Sequence, residues 1–351
     1  MTDSLDPSKF GTYDGMELSI PIRPRRNRKS PAIRSLVQEH RLHPSDFILP
    51  LFVQESPEAK TPISSMPGQF RYNPDQLVQE ALEAQQLGIP AVALFPAIEP
   101  SKKDEHAKES YNPNGLLPQV VRRLKKEVPG LTIITDVAMD PYSSDGHDGI
   151  VQEGTILNDA TLEVLGKMAV CQAEAGADII APSDMMDGRV FYLREVLDQA
   201  GYEEVGILSY AAKYASAFYG PFRDALDSAP ADGKDIPKDK KTYQMNPANT
   251  EEAVREVLLD IEEGADMVIV KPGLPYLDII QKLRSKVQVP LAAYHVSGEY
   301  AMIYAAAEKG WLDLNSSMME SLLAFKRAGA NMILTYFAKE ACRLLQESGE
   351  Y

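Results

Sequence analysis

Cysteine is nearly absent from this chain of 351 residues, which has only Cys171 and Cys342. They lie far apart on segments with helical patterning, in no metal-binding spacing, so a disulfide framework is not expected. Histidine is also scarce, at five residues, and tryptophan occurs once. No HExxH run is present, which sets that class of metallohydrolase aside. Long hydrophobic runs are missing too. None approaches the roughly 20 apolar residues needed to cross a bilayer. The first thirty residues lack the charged-then-apolar pattern of a secretory signal, so the expected compartment is the cytoplasm and no membrane partner is expected. Positive charge is in deficit: 36 Lys and Arg against 51 Asp and Glu leave a net charge of −15. That argues against nucleic acid as a partner. It leaves room for an anionic small molecule, because a local basic pocket can sit in an acidic protein.

What is present is ordinary globular material, 44% hydrophobic and 25% charged. Short apolar, β-rich runs recur at 47–53, 91–95, 132–138, 177–182, 206–210, 267–271, 291–296 and 331–337. Helical patterns separate them, for example 75–87, where Leu77, Val78, Ala81 and Leu82 share a face, and 251–263. Near-continuous apolar strands alternating with helices indicate a parallel sheet covered on both faces. Eight such units predict an α/β fold of the closed (β/α)8 TIM-barrel type, with a doubly wound open sheet as the rival. Four helix ends carry Gly where a left-handed residue would close the helix: QQLGIP (85–90), EAGAD (174–178), EEGAD (262–266) and KRAGAN (326–331). Residues 1–30 do not fit the barrel pattern and read as an extended N-terminal arm with a basic cluster, RPRRNRKS (23–30); residues 31–351 read as the catalytic barrel. A second irregular stretch, 219–249, follows the fifth strand, and a connection of that length is functional or disordered. Asn249 with Glu252 predicts a helix capping box at its end.

Two lysines stand where the fifth and sixth strands end: Lys213 in SYAAKYASAFYGPFRDA (209–225) and Lys271 in VIVKPGLPYLD (268–278). Burying a lysine charge is costly, so the residue is uncommon in such places. Adjacent strand ends bring the amines together. A second ammonium about 5 Å away, at an effective dielectric of about 20, disfavours the charged form by roughly 3 kcal/mol, or about two pKa units. Desolvation acts in the same direction. The pair can therefore supply a neutral amine for Schiff-base chemistry. The alternative is that each lysine pairs with a carboxylate across the barrel.

These two motifs resemble those of the porphobilinogen synthase family. The resemblance runs in order from RPRRNRKSPAIRSLVQE (23–39) to ILTYFAKE (333–340). It implies a (β/α)8 lyase that condenses two 5-aminolevulinate molecules to porphobilinogen with loss of two waters. This is an early step of tetrapyrrole biosynthesis, and it needs no organic cofactor. It implies that Lys271 holds the substrate that becomes the propionate side and Lys213 the substrate that becomes the acetate side. Arg223 and Lys240 match family positions that bind the acetate-side carboxylate, with Lys238 or Lys241 as substitutes for Lys240, and Gln244 in TYQMNP matches another contact. Ser297 in YHVSGEYAM and Tyr336 in ILTYFAKE, expected at the ends of strands seven and eight, match the residues that hold the propionate-side carboxylate. Asp136, Ser183 and Asp184 are expected on the same face, the aspartates orienting amino groups or accepting their protons. It also implies a homo-oligomer, an octamer, whose arms with Arg25, Arg26 and Arg28 embrace neighbours.

The stretch DVAMDPYSSDGHDG (136–149) departs from the zinc-using members, which carry three cysteines here. The matching residues are Ala138, Asp140 and Asp148, so no thiolate site for zinc can form. The pattern resembles the aspartate-bearing branch of the family. Asp140 and Asp148 either bind a hard cation through oxygen or order the loop by hydrogen bonds. Glu256, in EEAVREVLLD, matches the family position for an allosteric magnesium; alone, it would read as part of a solvated acidic face. Two rival functions are a class I aldolase using one Schiff-base lysine, and an inactive barrel kept for binding. The paired lysines disfavour both.

Overall fold

The computed structural model describes residues 11–13, 16–18, 20–233 and 235–348. Part of the expected arm (1–10, 14, 15 and 19) lies outside the described residues. The chain divides into two compact units, Met1–Arg41 and Leu42–Tyr351, so residue 30, where the arm was expected to end, falls inside the first. In that unit Gly11–Tyr13 pairs antiparallel with Met16–Leu18. A helix at Pro31–Leu36 starts at Ser30, whose Oγ accepts the Ile33 N–H at 3.3 Å.

The second unit is the expected barrel. Its strands are β1 (Phe47–Gln54), β2 (Ala91–Ala97), β3 (Thr132–Val137), β4 (Ile179–Pro182), β5 (Gly206–Lys213), β6 (Met267–Lys271), β7 (Leu291–His295) and β8 (Met332–Thr335). All neighbours are parallel. β8 returns to pair with β1 through Ile333↔Phe47 and Leu334↔Ile48, so the eight strands close into a barrel, with two short strands, Lys60–Pro62 and Phe70–Tyr72, branching from β1. The covering helices are α1 (Pro74–Gln86), α2 (Leu116–Glu127), α3 (Asn158–Ala175), α4 (Arg189–Gln199), α5 (Glu251–Glu262), α6 (Leu277–Arg284), α7 (Ser297–Glu308), α8 (Leu314–Ala328) and α9 (Ala338–Ser348). The strands are buried along almost their whole length, as required where helices cover one face and the barrel interior the other.

Three of the glycine turns share one device. Gly176, Gly264 and Gly329 close their helices at φ of 103°, 108° and 111°. Two residues later an Asp or Asn brackets the preceding strand. Asp178 gives its N–H to the Ile133 carbonyl at 3.0 Å and takes the Ile133 N–H on its carboxylate at 2.8 Å. Asp266 does the same with Ile207, at 3.0 and 2.8 Å, and Asn331 with Leu291, at 2.7 and 3.0 Å. Each turn thus sets strand register with two bonds to a single residue.

Two expectations need correction. β5 does not end at Tyr210 but runs to Lys213, because a register shift between Ser209 and Ala212 lets the strand continue beside β6. The residue preceding α5 is Thr250, not Asn249, and it makes no side-chain cap; Asn249 instead donates to the Glu252 carboxylate at 2.6 Å.

A buried ionic cluster fastens α4 and α5 to β5. Arg189 Nη2 lies 2.9 Å from Asp260 Oδ2, and Ser209 Oγ accepts from Arg189 at 3.1 Å while donating to Asp260 at 2.6 Å. Arg189 is only 2% exposed. Asp260→Ala leaves that buried guanidinium without its nearest carboxylate, Asp184 Oδ2 being 3.9 Å away, and is expected to cost about 3–5 kcal/mol. Urea unfolding at fixed protein concentration measures this. A loss below about 1 kcal/mol, the worth of an exposed pair, would contradict it.

Candidate active site

The two lysines meet at the carboxyl end of the barrel. Lys213 ends β5, Lys271 ends β6, and the two are direct register partners. Neighbouring strands run about 4.8 Å apart, so the side chains emerge side by side. Both are nearly buried, at 6% and 5% exposure. Their surroundings differ. The Lys271 Nζ lies over four aromatic rings: Tyr294 at 4.7 Å, Phe222 at 4.8 Å, Tyr210 at 5.1 Å and Tyr219 at 5.2 Å. Lys213 donates to the Ser183 carbonyl and lies 4.0 Å from Asp148 Oδ2. Burial, and then the neighbouring Lys213 charge, pull the Lys271 amine down from 10.5 to about 7.

Three aspartates from β3 and the loop after it face this pair. Burial, with the nearby Asp140 charge, raises Asp136 to about 7. Burial and the Asp148 charge raise Asp140. Burial would raise Asp148 as well, but Lys213 and Lys240 outweigh it and hold that carboxyl below its ordinary value. Asp184 follows β4; burial raises it to about 6 against the pull of Arg189. Its Oδ1 accepts the Met186 N–H at 2.7 Å. Among the described residues, Asp136 Oδ1, Asp148 Oδ1, Asp184 Oδ2 and Gln244 Oε1 are buried acceptors without a hydrogen-bond donor, although Asp184 Oδ2 lies 3.9 Å from Arg189 Nε. Such groups are rare in cores, and here several belong to one mouth.

The long connection after β5 contributes the remaining groups. Arg223, in a short helix at Gly220–Leu226, is partly exposed and makes no ion pair with the described residues. Of the three neighbouring lysines, Lys238 and Lys241 are exposed and Lys240 is buried. The Lys240 ammonium sits 3.0 Å from both Asp140 Oδ2 and Asp148 Oδ2. A lysine thus stands between the two carboxylates considered as cation ligands, and burial of this amine is offset by the two anions, which raise its pKa. Ser297 is the first residue of α7 and not part of β7, which ends at His295; its Oγ accepts the Phe222 N–H at 2.9 Å. Tyr336 directly follows β8, and its hydroxyl lies 3.1 Å from that of Tyr294. Glu256 lies apart from these groups, half-buried on α5 in a cleft of about 440 Å³ lined also by Thr155, Asn158, Asp187 and Glu252.

A family model described as Delta-aminolevulinic acid dehydratase matches residues 21–344. The chain belongs to the delta-aminolevulinic acid dehydratase family. It is 56% identical over 332 residues to the dehydratase of Bradyrhizobium diazoefficiens, covering 95% of this chain and 93% of that one. It is 56% identical over 331 residues to the chloroplastic dehydratase of Glycine max, covering 93% and 79%. The crystal structure of the Toxoplasma gondii ME49 dehydratase, in complex with the reaction product porphobilinogen, superposes with a TM-score of 0.93. Its identity is 52%, over 97% of this chain and 96% of that one.

Motif reading for this dehydratase family finds the polar residues but misses the rings around Lys271. Tyr210, Tyr219 and Phe222 are all inside the quoted lysine motif, so their density was a usable signal. Tyr294 comes from β7 and joins them only through the pairing of β7 with β6, where Val270 is the register partner of Ala293. The buried His147 was also passed over, because a lone histidine in a polar loop carries no pattern.

The charge state of Lys271 is open to direct test. Labelling of its amine by an acylating reagent should rise with pH with a midpoint near 7. Lys213→Met removes the like charge and should move that midpoint upward. The linked stability follows: between pH about 7 and 10.5 the unfolded chain holds a proton here that the folded one lacks, so this group makes stability rise with pH across that window. A labelling midpoint near 10.5 would contradict the description.

Proposed function

We propose that Lys213 and Lys271, as two imines, carry the activity of this lyase: condensation of two 5-aminolevulinate molecules to porphobilinogen with loss of two waters. The observation that carries this reading is the register pairing of two buried lysines, one of them in an aromatic cage. A neutral amine attacks a ketone and expels water, and the ring-lined pocket supplies such an amine near neutral pH. Each substrate loses one water on forming its imine. One carbon–carbon and one carbon–nitrogen bond then form, each displacing a lysine nitrogen from carbon, so both amines are regenerated. The lysine nitrogen is the electron sink, and no organic cofactor is called for.

The other groups take roles that suit their positions. Lys271 holds the propionate-side substrate, with Ser297 and Tyr336 receiving its carboxylate. Lys213 holds the acetate-side substrate, with Arg223, Lys240 and Gln244 serving its carboxylate. Arg223, lacking an ion-pair partner among the described residues, suits an incoming anion best. Asp136, raised to about 7, is tuned to exchange protons near neutral pH, and the oxygens of Asp136 and Asp148 that lack a donor among the described residues suit the substrates' amino groups, with Asp184 beside them on the same face. Ser183, whose carbonyl takes the Lys213 ammonium, keeps that chain in place. A class I aldolase would leave one of the lysines without a role.

We assign the chain to the aspartate-bearing branch. Ala138 offers no ligand, and Lys240 fills the space between Asp140 and Asp148, so these residues do not fit a zinc–thiolate group. Magnesium fits the cleft at Glu256 better, because this ion keeps most of its waters and needs one or two carboxylates. Residues 1–30 serve assembly into an octamer by docking on another copy. No described helix is long and apolar enough to cross a membrane; we place the chain in the cytoplasm, whereas the Glycine max relative is chloroplastic.

Lys271→Met and Lys213→Met should each lower porphobilinogen formation by at least about a thousandfold, because the covalent route is removed and not merely a contact. Near-normal turnover in either variant would defeat the imine assignment. In a second assay a zinc-selective chelator should leave wild-type turnover largely intact, and Glu256→Ala should abolish stimulation by magnesium while sparing the basal rate. Activity restored only by zinc would overturn the branch assignment, and identical magnesium curves would remove Glu256 from it.

A further inference from the structure

The loop after β3 does more than supply aspartates. Three consecutive residues in it each receive a different part of the long segment that follows β5. Gly146, at φ 69°, is so close to that segment that a Cβ there would fall 2.1 Å from the Ala229 carbonyl oxygen. Beside it the Asp145 carbonyl accepts the Ala231 N–H at 3.0 Å. His147 is fully buried, and its Nε2 lies 2.7 Å from the Pro237 carbonyl oxygen. A carbonyl only accepts, so Nε2 carries the hydrogen. In the neutral ring Nδ1 is then an acceptor, and it faces the Tyr243 hydroxyl at 3.0 Å. The same hydroxyl oxygen accepts the Asp148 N–H at 3.3 Å.

Lys240 lies midway between the two points of attachment, Pro237 and Tyr243. Its carbonyl accepts the N–H groups of Tyr243 at 3.3 Å and Gln244 at 2.8 Å, so the turn moves as one piece. We propose that His147 and Tyr243 are positioning residues: they latch the 229–245 segment onto the β3 loop and thereby set Lys240 between Asp140 and Asp148. The inference rests on the reading of Lys213 and Lys271 as the reaction centre. It adds that the second substrate position is completed by a latch whose members touch no substrate. Lys271 lies among Tyr210 and Tyr294 of the barrel strands and Tyr219 and Phe222 at the start of the connection, none of them part of the latch, so its ring pocket does not depend on it.

Tyr243→Phe keeps the ring and deletes the hydroxyl that joins His147 to Asp148. His147→Gln keeps a donor of suitable reach for the Pro237 carbonyl, whereas His147→Ala keeps nothing. Hydrogen–deuterium exchange and steady-state kinetics on the full-length chain separate the possibilities. In Tyr243→Phe and His147→Ala, amides of 229–245 should exchange about tenfold faster, while those of β6 and β7 stay at wild-type rates. The half-saturating 5-aminolevulinate concentration should rise about tenfold with kcat changed less than about threefold, and His147→Gln should recover part of both effects. Unchanged exchange in 229–245 would overturn the latch, as would equal acceleration in the barrel strands or a fall in kcat alone. Should the wild type form no porphobilinogen, the functional reading fails by itself, and the exchange comparison still decides whether the latch exists.

Discussion

An ammonium group gives up much of its hydration when it is buried, and two placed side by side also repel one another. The carboxyl end of this barrel is organised around that constraint. Lys213 and Lys271 are fixed as neighbours by strand register, which no side-chain rearrangement can relieve. The remedy differs for each. Lys271 receives aromatic faces, which attract a cation weakly and replace none of its hydrogen bonds with water, so its charged form is disfavoured. Lys213 has a backbone carbonyl and the Asp148 carboxylate within reach. A pair alike in sequence therefore becomes unlike in chemistry.

The carboxylates carry the same tension from the other side. Asp136, Asp140 and Asp148 crowd together, and two of the three are raised while the third, closest to the lysines, is lowered. Lys240 enters from a distant stretch of chain as a further cation, and without it two buried anions would lack their nearest partner. The long segment after β5 is thus tied electrostatically as well as through His147 and Tyr243. Positioning of this segment and the charge balance of the mouth are one problem.

Most of the barrel was legible in the sequence because its signals are local. Apolar runs marked the eight strands, and the Gly-Ala-Asp and Gly-Ala-Asn turns marked where β4, β6 and β8 began. What escaped depended on contacts between remote segments. β5 was read three residues short because its register shift is set by β6, not by its own composition. Ser297 is expected only at the end of a strand, although the Glu299 carboxylate, accepting the Val296 N–H at 2.6 Å, starts a helix there. Lys240 could be named from its motif, but its two aspartate partners lie about a hundred residues earlier and no spacing rule reveals them. The Arg189–Asp260 pair was invisible for the same reason: each residue alone reads as a solvated charge on a helix.

The central claim is that both strand-end amines, and no others, react with substrate. Borohydride reduction in the presence of 5-aminolevulinate, followed by peptide mapping, tests it directly. The account predicts reduced adducts on Lys213 and Lys271 in the wild type, and an adduct on Lys213 alone in Lys271→Met. Adducts confined to other lysines, or their absence while porphobilinogen is still formed, would contradict it.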